Sequence, residues 1–322
     1  MWELLLKLVV PLKFSLVAAV GALAPLIILF LLERREKTRR EQAESPPQEE
    51  KLLRPPGHSL ASKMEKLWDD LIDQLPQVLA FGAFGAILFY EGFVFLAYPE
   101  LRLAGTFSLI AAVACGFLAG RRTVAIRNLM RLRRNCQLGL RGEQAVAESL
   151  TEIASFGYRA FHDLPGEGKW NIDHVVVGPS GVFAIETKAR RRRVGAGKQP
   201  AHEVHYDAEK LYFPTGEDRE AVPQARGNAR WVAEYLTKET GERVNAMPLL
   251  VLPGWYVKRL VADTKGFMAM NTTYLKKYLA DQPEKLPPAQ VRRIITALKK
   301  SVGMWNFEPE RRSRTTHRAP YP

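Results

Sequence analysis

The apolar residues of this chain are not spread along it. They crowd into three long runs within the first 120 positions, and the charges crowd into the remainder. From Phe14 to Leu32 no residue is charged, close to the roughly 20 residues that a helix rising about 1.5 Å per residue needs to cross a hydrocarbon core. Gln77 to Tyr98 and Leu103 to Gly120 form a second pair, joined only by Pro99-Glu100-Leu101-Arg102, which is enough for a tight turn between antiparallel helices. The whole-chain mean hydropathy of -0.17 averages this segregation away. Ala22-Leu23-Ala24 has the look of a signal-peptidase site, but Pro25 follows it and the run continues, so the first span reads as a retained anchor.

Flanking charge sets the orientation. Arg34, Arg35, Lys37, Arg39 and Arg40 follow the first run, and Arg121, Arg122, Arg127, Arg131, Arg133 and Arg134 follow the third with no acid among them. Basic flanks stay inside, which predicts an external N-terminus, a lipid bilayer as partner, and a cytoplasmic C-terminal half, as in a bacterial inner-membrane protein. The expected partition is an anchor over 1–34, a cytoplasmic linker over 35–74 with a flexible Pro-, Glu- and Gln-rich part from Glu41 to His58, a helical hairpin over 75–121, a basic juxtamembrane segment over 122–138, a folded domain over 139–306 and a disordered basic tail over 307–322. Glu91, inside the second run, is either functional or simply placed near the interface.

A net charge of +13 and a pI near 9.8 favour contact with phosphates or anionic lipid, and the basic arginines after the third run fit headgroups as well as nucleic acid. Only Cys115 and Cys136 are present, which excludes a disulfide framework and a cysteine zinc site.

The second half carries the chemistry. Val146, Leu150 and Ile153 recur at helical spacing in Arg141 to Ala154, so an amphipathic helix is expected there, with Glu143 on or beside the buried stripe. A carboxylate there needs a cation or a partner, although a first-turn Glu also complements the helix dipole. After a strand at Tyr158 to His162 and a Gly-rich loop at Pro165 to Gly168 come Asn171 to Val177, the turn Gly178-Pro179-Ser180-Gly181, and Val182 to Lys188. Counting outward from the turn pairs Val177 with Val182, Val175 with Ala184 and Asp173 with Glu186, and side-chain alternation puts Lys188 on the same face. Like charges opposite each other are destabilising, and a hard divalent cation such as Mg2+ (or Mn2+) bound by Asp173 and Glu186 would offset the repulsion. An Asp-Lys-Glu ion network of purely structural role fits the same geometry.

Pro223 opens a further helix whose buried stripe is Ala225, Ala229, Val232 and Leu236, with Gln224 and Asn228 one turn apart on another face, suited to phosphate or to plain solvent. Arg190, Arg191, Arg192 and Arg193 could grip a nucleic-acid backbone or form a solvated edge. His202, His205 and Asp207 read as loop residues despite their metal-like spacing, and His174 alternates away from Asp173. Ala246 to Leu252 reads as a buried strand and Val291 to Val302 as a terminal helix.

Gly139-Leu140-Arg141-Gly142-Glu143, Asn171-Ile172-Asp173-His174, Gly178-Pro179-Ser180-Gly181 and Ile185-Glu186-Thr187-Lys188, in that order, resemble the nuclease-related domain, a branch of the PD-(D/E)XK nuclease superfamily. The resemblance covers roughly Gly139 to Leu252. It implies an α/β fold, with a restriction-endonuclease-like αβββαβ core behind an all-α membrane region. It also implies Glu143, Asp173 and Glu186 as metal ligands, Lys188 as the catalytic lysine and Gln224 as the later polar position. The expected activity is Mg2+-dependent endonuclease hydrolysis of DNA, with RNA as second choice. The alternatives are a tethered nucleic-acid-binding module without turnover and a membrane signal or interaction protein.

Overall fold

The computed structural model describes residues 28, 31, 32, 34, 35, 38, 53–166, 170–192 and 200–304. The expected first span, apart from Ile28, Leu31 and Leu32, lies outside the described residues, as do residues 36–52 of the expected linker apart from Thr38, and the expected tail over 307–322. The chain divides into two units, Met1–Ser45 with Lys63–Asn135, and Pro46–Ser62 with Cys136–Pro322.

The first unit is a helical hairpin. Helix α1 (His58–Leu96) and helix α2 (Arg102–Thr151) flank a single 3-10 turn at Pro99–Leu101, as the short Pro-containing link requires. Glycines let the two backbones come close: a Cβ on Gly85 would sit 3.1 Å from the Cβ of Cys115, and one on Gly92 would fall 3.0 Å from the Gly105 carbonyl oxygen. The outward positions are large and apolar, including Phe84, Phe93, Phe107, Val113 and Phe117. Both helices are long and apolar enough to cross a membrane, each with an 18-residue window of mean hydropathy 1.9.

Two differences from the sequence expectation concern continuity. The expected linker up to 74 is helical from His58, and no break separates the hairpin from the helix expected at Arg141, because α2 runs unbroken through the basic segment. No proline lies between Arg102 and Thr151, so the switch from apolar to charged side chains changes the environment of the backbone but does not stop it.

In the second unit a five-stranded mixed sheet has the order β1-β2-β3-β7-β9. Strands β1 (Arg159–Pro165), β2 (Asn171–Gly178) and β3 (Gly181–Thr187) form an antiparallel meander, and β7 (Ala246–Val251) and β9 (Met268–Met270) add in parallel. Helix α3 (Ala221–Thr240) connects the meander to β7, so the order α–βββ–α–β is present. It begins two residues ahead of Pro223, which its first turn tolerates.

Each sheet face has its own core. Val175, Val177, Val182 and Ala184 pack under Ala229, Val232 and Leu236 of α3 and Ile294 and Leu298 of helix α5 (Pro288–Met304). On the other face Val176, Phe183, Ile185 and Leu249 meet Val146 and Leu150 of α2 and Leu275 and Leu279 of helix α4 (Thr272–Ala280). Strand β3, hydrogen-bonded on both sides and covered on both faces, is the apolar run that such a position demands.

A second sheet, order β6-β5-β4-β8, was not foreseen. It is built from β4 (Glu203–Tyr206), β5 (Leu211–Phe213), β6 (Gly216–Asp218) and β8 (Tyr256–Arg259). His205 therefore lies on a strand and not in a loop, beside Glu203 at 3.3 Å, while Asp207 accepts from the Glu209 and Lys210 backbone N–H groups and the Tyr212 hydroxyl.

Gly178 ends β2 against the Tyr158 ring, where a Cβ would come within 2.1 Å of a ring carbon, and Tyr158 is itself tied to Ser180 and the Leu279 carbonyl. Gly178→Ala should therefore destabilise the second unit by about 1–3 kcal/mol, the usual range for overpacking. Gly227→Ala, into open space inside α3, should stabilise it by up to about 1 kcal/mol. Thermal unfolding of the full chain in detergent checks both signs.

Candidate functional site

The hairpin register is the one counted from the turn, with Gly178 opposite Gly181, Val177 opposite Val182, Val175 opposite Ala184 and His174 opposite Ile185. Beyond His174 the two strands stop pairing as a ladder, and Asp173 turns an oxygen back to accept the Thr187 backbone N–H at 2.7 Å. Glu186 follows on β3, its Oε2 accepting 2.9 Å from the Asn228 amide of α3. Glu143 arrives from α2, one turn before Val146, as the helical spacing predicts. All three are buried, 8%, 5% and 4% exposed for Asp173, Glu186 and Glu143.

Asp163 is a fourth member that sequence reasoning missed. The β1–β2 register places it opposite Asp173, between the pairs Leu164 with Ile172 and His162 with His174. It is 0% exposed and adopts φ +49°. This left-handed residue, a conformation Asp tolerates better than most, breaks the strand alternation so that Phe161 and Leu164, three apart, enter the same core. That three-residue step was the one local signal in the sequence.

Asp163 is satisfied largely from far away. Ser59 Oγ donates to it at 2.5 Å, Asn171 Nδ2 at 2.6 Å and Arg54 Nη1 at 3.3 Å. The backbone N–H of Gly57 donates to Glu143. Gly57 is held at φ +74°, and a Cβ there would lie 2.2 Å from Leu140, so only glycine fits. The stretch 53–62, expected to lie within the linker over 35–74 and to include the end of its flexible part at His58, is thus a strap across the second unit.

The electrostatics follow from this crowding. Burial first, then the charges of Asp173 and Asp163, push the Glu143 carboxyl from its ordinary 4.5 up to about 8 against the relief of the Gly57 N–H. Burial raises Asp173 to about 7, with Asp163 adding to the rise and the Thr187 N–H and Lys188 opposing it. Glu186 rises well above its ordinary value through burial and the neighbouring Asp173. Lys188, half-buried, is near enough to favour the charged forms of Asp173 and Glu186, and its backbone N–H holds the Val251 carbonyl at 2.9 Å. It also lines an open groove of about 590 Å³ with Ala189, Arg190, Glu217, Asp218, Arg219 and Glu220.

The remaining expected residues divide. Asn228 is buried on Glu186 and is not an outward phosphate contact, because its position on α3 falls at the margin of the core stripe. Gln224, one turn earlier on the same side, is exposed. Arg190 lies over the Phe213 ring at 4.4 Å, with its carbonyl accepting from Trp255 Nε1. Arg191 and Arg192 are exposed, and Arg193 lies outside the described residues. His174 is fully buried on the opposite side from Asp173, its Nδ1 2.8 Å from that of His162. Burial lowers both imidazoles, His174 the further because His162 adds to it.

Among the described residues no group of three His, Cys, Asp or Glu side chains is already arranged as a metal cage. The donor set nevertheless suits a hard cation. Glu143 Oε2 and Thr187 Oγ1 are buried oxygens without a hydrogen-bond partner, and the carboxylates around them are destabilised in their charged forms. Oxygen donors, two carboxylates and room for solvent are what Mg2+ prefers.

Residues 138–253 match the family model described as the nuclease-related domain. That span takes in Glu143, Asp163, Asp173, Glu186, Lys188 and Asn228 and leaves out the strap. No curated protein and no solved structure matches the chain.

Two outcomes are expected. Carboxyls whose folded values exceed their unfolded ones contribute stability that is complete below about pH 4.5 and lost as pH rises through about 7 to 8. Metal-free protein should therefore lose stability over that window, by roughly 1.4 kcal/mol per pH unit for each proton by which the states differ, and Glu143→Gln should flatten the loss in a series of unfolding curves. Arg54→Met, which strips a cation from fully buried Asp163, should destabilise the second unit by about 3 kcal/mol, and Asp163→Asn in the same chain should recover much of it.

Proposed function

We propose that the second unit is a metal-dependent nuclease of the PD-(D/E)XK type, held at a membrane by the hairpin, which hydrolyses phosphodiester bonds of DNA, with RNA the second choice. One observation carries this reading: Glu143, Asp173 and Glu186, drawn from a helix and two strands, are buried together beside Lys188, and an oxygen of Glu143 has no partner.

Asp173 and Glu186 are the residues to hold Mg2+ or Mn2+, with Glu143 adding charge or a water-bridged contact. Bound there, such an ion would supply a polarised phosphoryl oxygen, a more acidic water and a stabilised leaving oxygen. The protein's own part is positioning. The Thr187 N–H and the Asn228 amide fix the directions of Asp173 and Glu186, leaving each carboxylate a second oxygen for other use. Lys188 stands at the border between the carboxylates and the groove, where an ammonium favours an incoming phosphate and orients the attacking water. Arg191 and Arg192, exposed just beyond it, suit the flanking backbone.

Membrane tethering rests on the two apolar helices and on the arginines that follow the second. By the positive-inside rule those arginines favour a cytoplasmic second unit, as in a bacterial inner-membrane protein.

The test uses the full chain in detergent, because a fragment starting near residue 136 lacks the strap. Plasmid, linear duplex, single-stranded DNA and RNA are incubated with Mg2+, beside Asp173→Asn and Glu186→Gln proteins. The expected result is cleavage by the parent that falls at least about 100-fold in either variant, with Mg2+ raising the unfolding temperature of the parent alone. Cleavage that survives both substitutions sinks the assignment. Retained DNA binding with no cleavage by the parent would point to a binding module instead.

A further inference from the structure

We infer that Trp170 is a stacking platform for an unpaired nucleobase, so that the site takes single-stranded or locally opened nucleic acid. The inference rests on the nuclease reading above and narrows its substrate.

Trp170 immediately precedes β2 and stands three residues before Asp173. Its ring meets Trp231 edge to face, centroids 5.5 Å apart at 80°, and Trp231 in turn stacks on Tyr235 at 5.3 Å and 5°. Trp231 and Tyr235 pack against the core beneath α3, which gives the ladder a rigid foot. Trp231 is also one turn beyond Asn228, the residue that holds Glu186. The ladder therefore starts three residues from Asp173 and ends on the helix whose Asn228 holds Glu186.

The ring is also held from its own loop. Gly166 donates its N–H to the Trp170 carbonyl at 3.0 Å, and a Cβ on Gly166 would lie 2.5 Å from the indole, so Gly166 sits against that ring. Yet 38% of Trp170 remains exposed. The open part of the indole is flat apolar surface that a ligand can cover. An indole fixed by a glycine and an aromatic neighbour but left open to solvent is preorganised for a flat apolar ligand.

Nucleic acid is the flat ligand that a chain of net charge +13 favours. Arg230, exposed beside Trp231, and Arg191 and Arg192, exposed beyond Lys188, supply cations for a backbone. Every base offers a π face to such a ring, but a base within a duplex is already stacked on both sides. Only an unpaired base can use the platform.

The experiment uses the full chain in detergent with Ca2+ replacing Mg2+, and as probes a single-stranded oligonucleotide carrying one 2-aminopurine and the blunt duplex formed with its complement. The parent should bind the single strand more tightly than the duplex and quench the 2-aminopurine. Trp170→Leu should weaken single-strand binding about tenfold, within the range for one lost base–aromatic stack, while leaving duplex affinity unchanged. Trp170→Phe should keep most of the affinity. Equal weakening for both probes, no weakening, or a parent that prefers the duplex overturns the platform. If in those cases Mg2+-dependent cleavage still depends on Glu186, the nuclease reading stands alone. A parent that binds neither probe and cuts nothing overturns both.

Discussion

A carboxylate taken out of water must find donors or a cation, and this fold brings four carboxylates to one end of one sheet. Asp163 and Asp173 face each other across β1 and β2, Glu186 lies one strand over, and Glu143 reaches in from α2. Their mutual repulsion is met by donors from separate parts of the chain: Ser59, Arg54 and Asn171 on Asp163, the Gly57 N–H on Glu143, the Thr187 N–H on Asp173, and Asn228 on Glu186. The arrangement is asymmetric. Asp163 is met by three donors, whereas Glu143 keeps one buried oxygen, on its Gly57 side, without any.

The sheet makes this possible because its two faces are covered independently. One core, under α3 and α5, takes the side of the sheet that bears Val175 and Ala184, and another, under α2 and α4, takes the side that bears Val176 and Ile185. Apart from the His162–His174 pair the middle of the strands is apolar, and the carboxylates gather toward one end, where a bend at Asp163 and the end of the β2–β3 ladder free the side chains from ordinary pairing.

Much of this was legible in the sequence, for reasons that can be named. The Gly178-Pro179-Ser180-Gly181 turn fixes how many residues separate the strands, so the register could be counted, and the parity of a strand then carries Lys188 to the side of Glu186. Glu143 was readable from its distance to Val146 and Leu150. What escaped notice was set by distant contacts. Asp163 breaks the alternation on which strand reading relies. The strap is separated from Asp163 by more than a hundred residues, and its Pro55-Pro56-Gly57 has the composition of a link. The second sheet is made of strands only three or four residues long, which depend on their partners more than on local preference. The mid-helix change at 121–138 looked like a boundary because side-chain chemistry changes there, although nothing in the backbone does.

The strap also imposes an order on synthesis. Arg54 leaves the ribosome ahead of both hairpin helices and Ser59 with the first turn of α1, and Asp163, 109 and 104 residues later, leaves after both. While the hairpin is being made, the arginine and serine have no carboxylate to meet, and the carboxylates that follow lack their donors until the chain folds back on its own beginning. The cluster is therefore closed late, once the helices between its two halves have been delivered, and a chain interrupted before β1 contains the clasp without anything to hold.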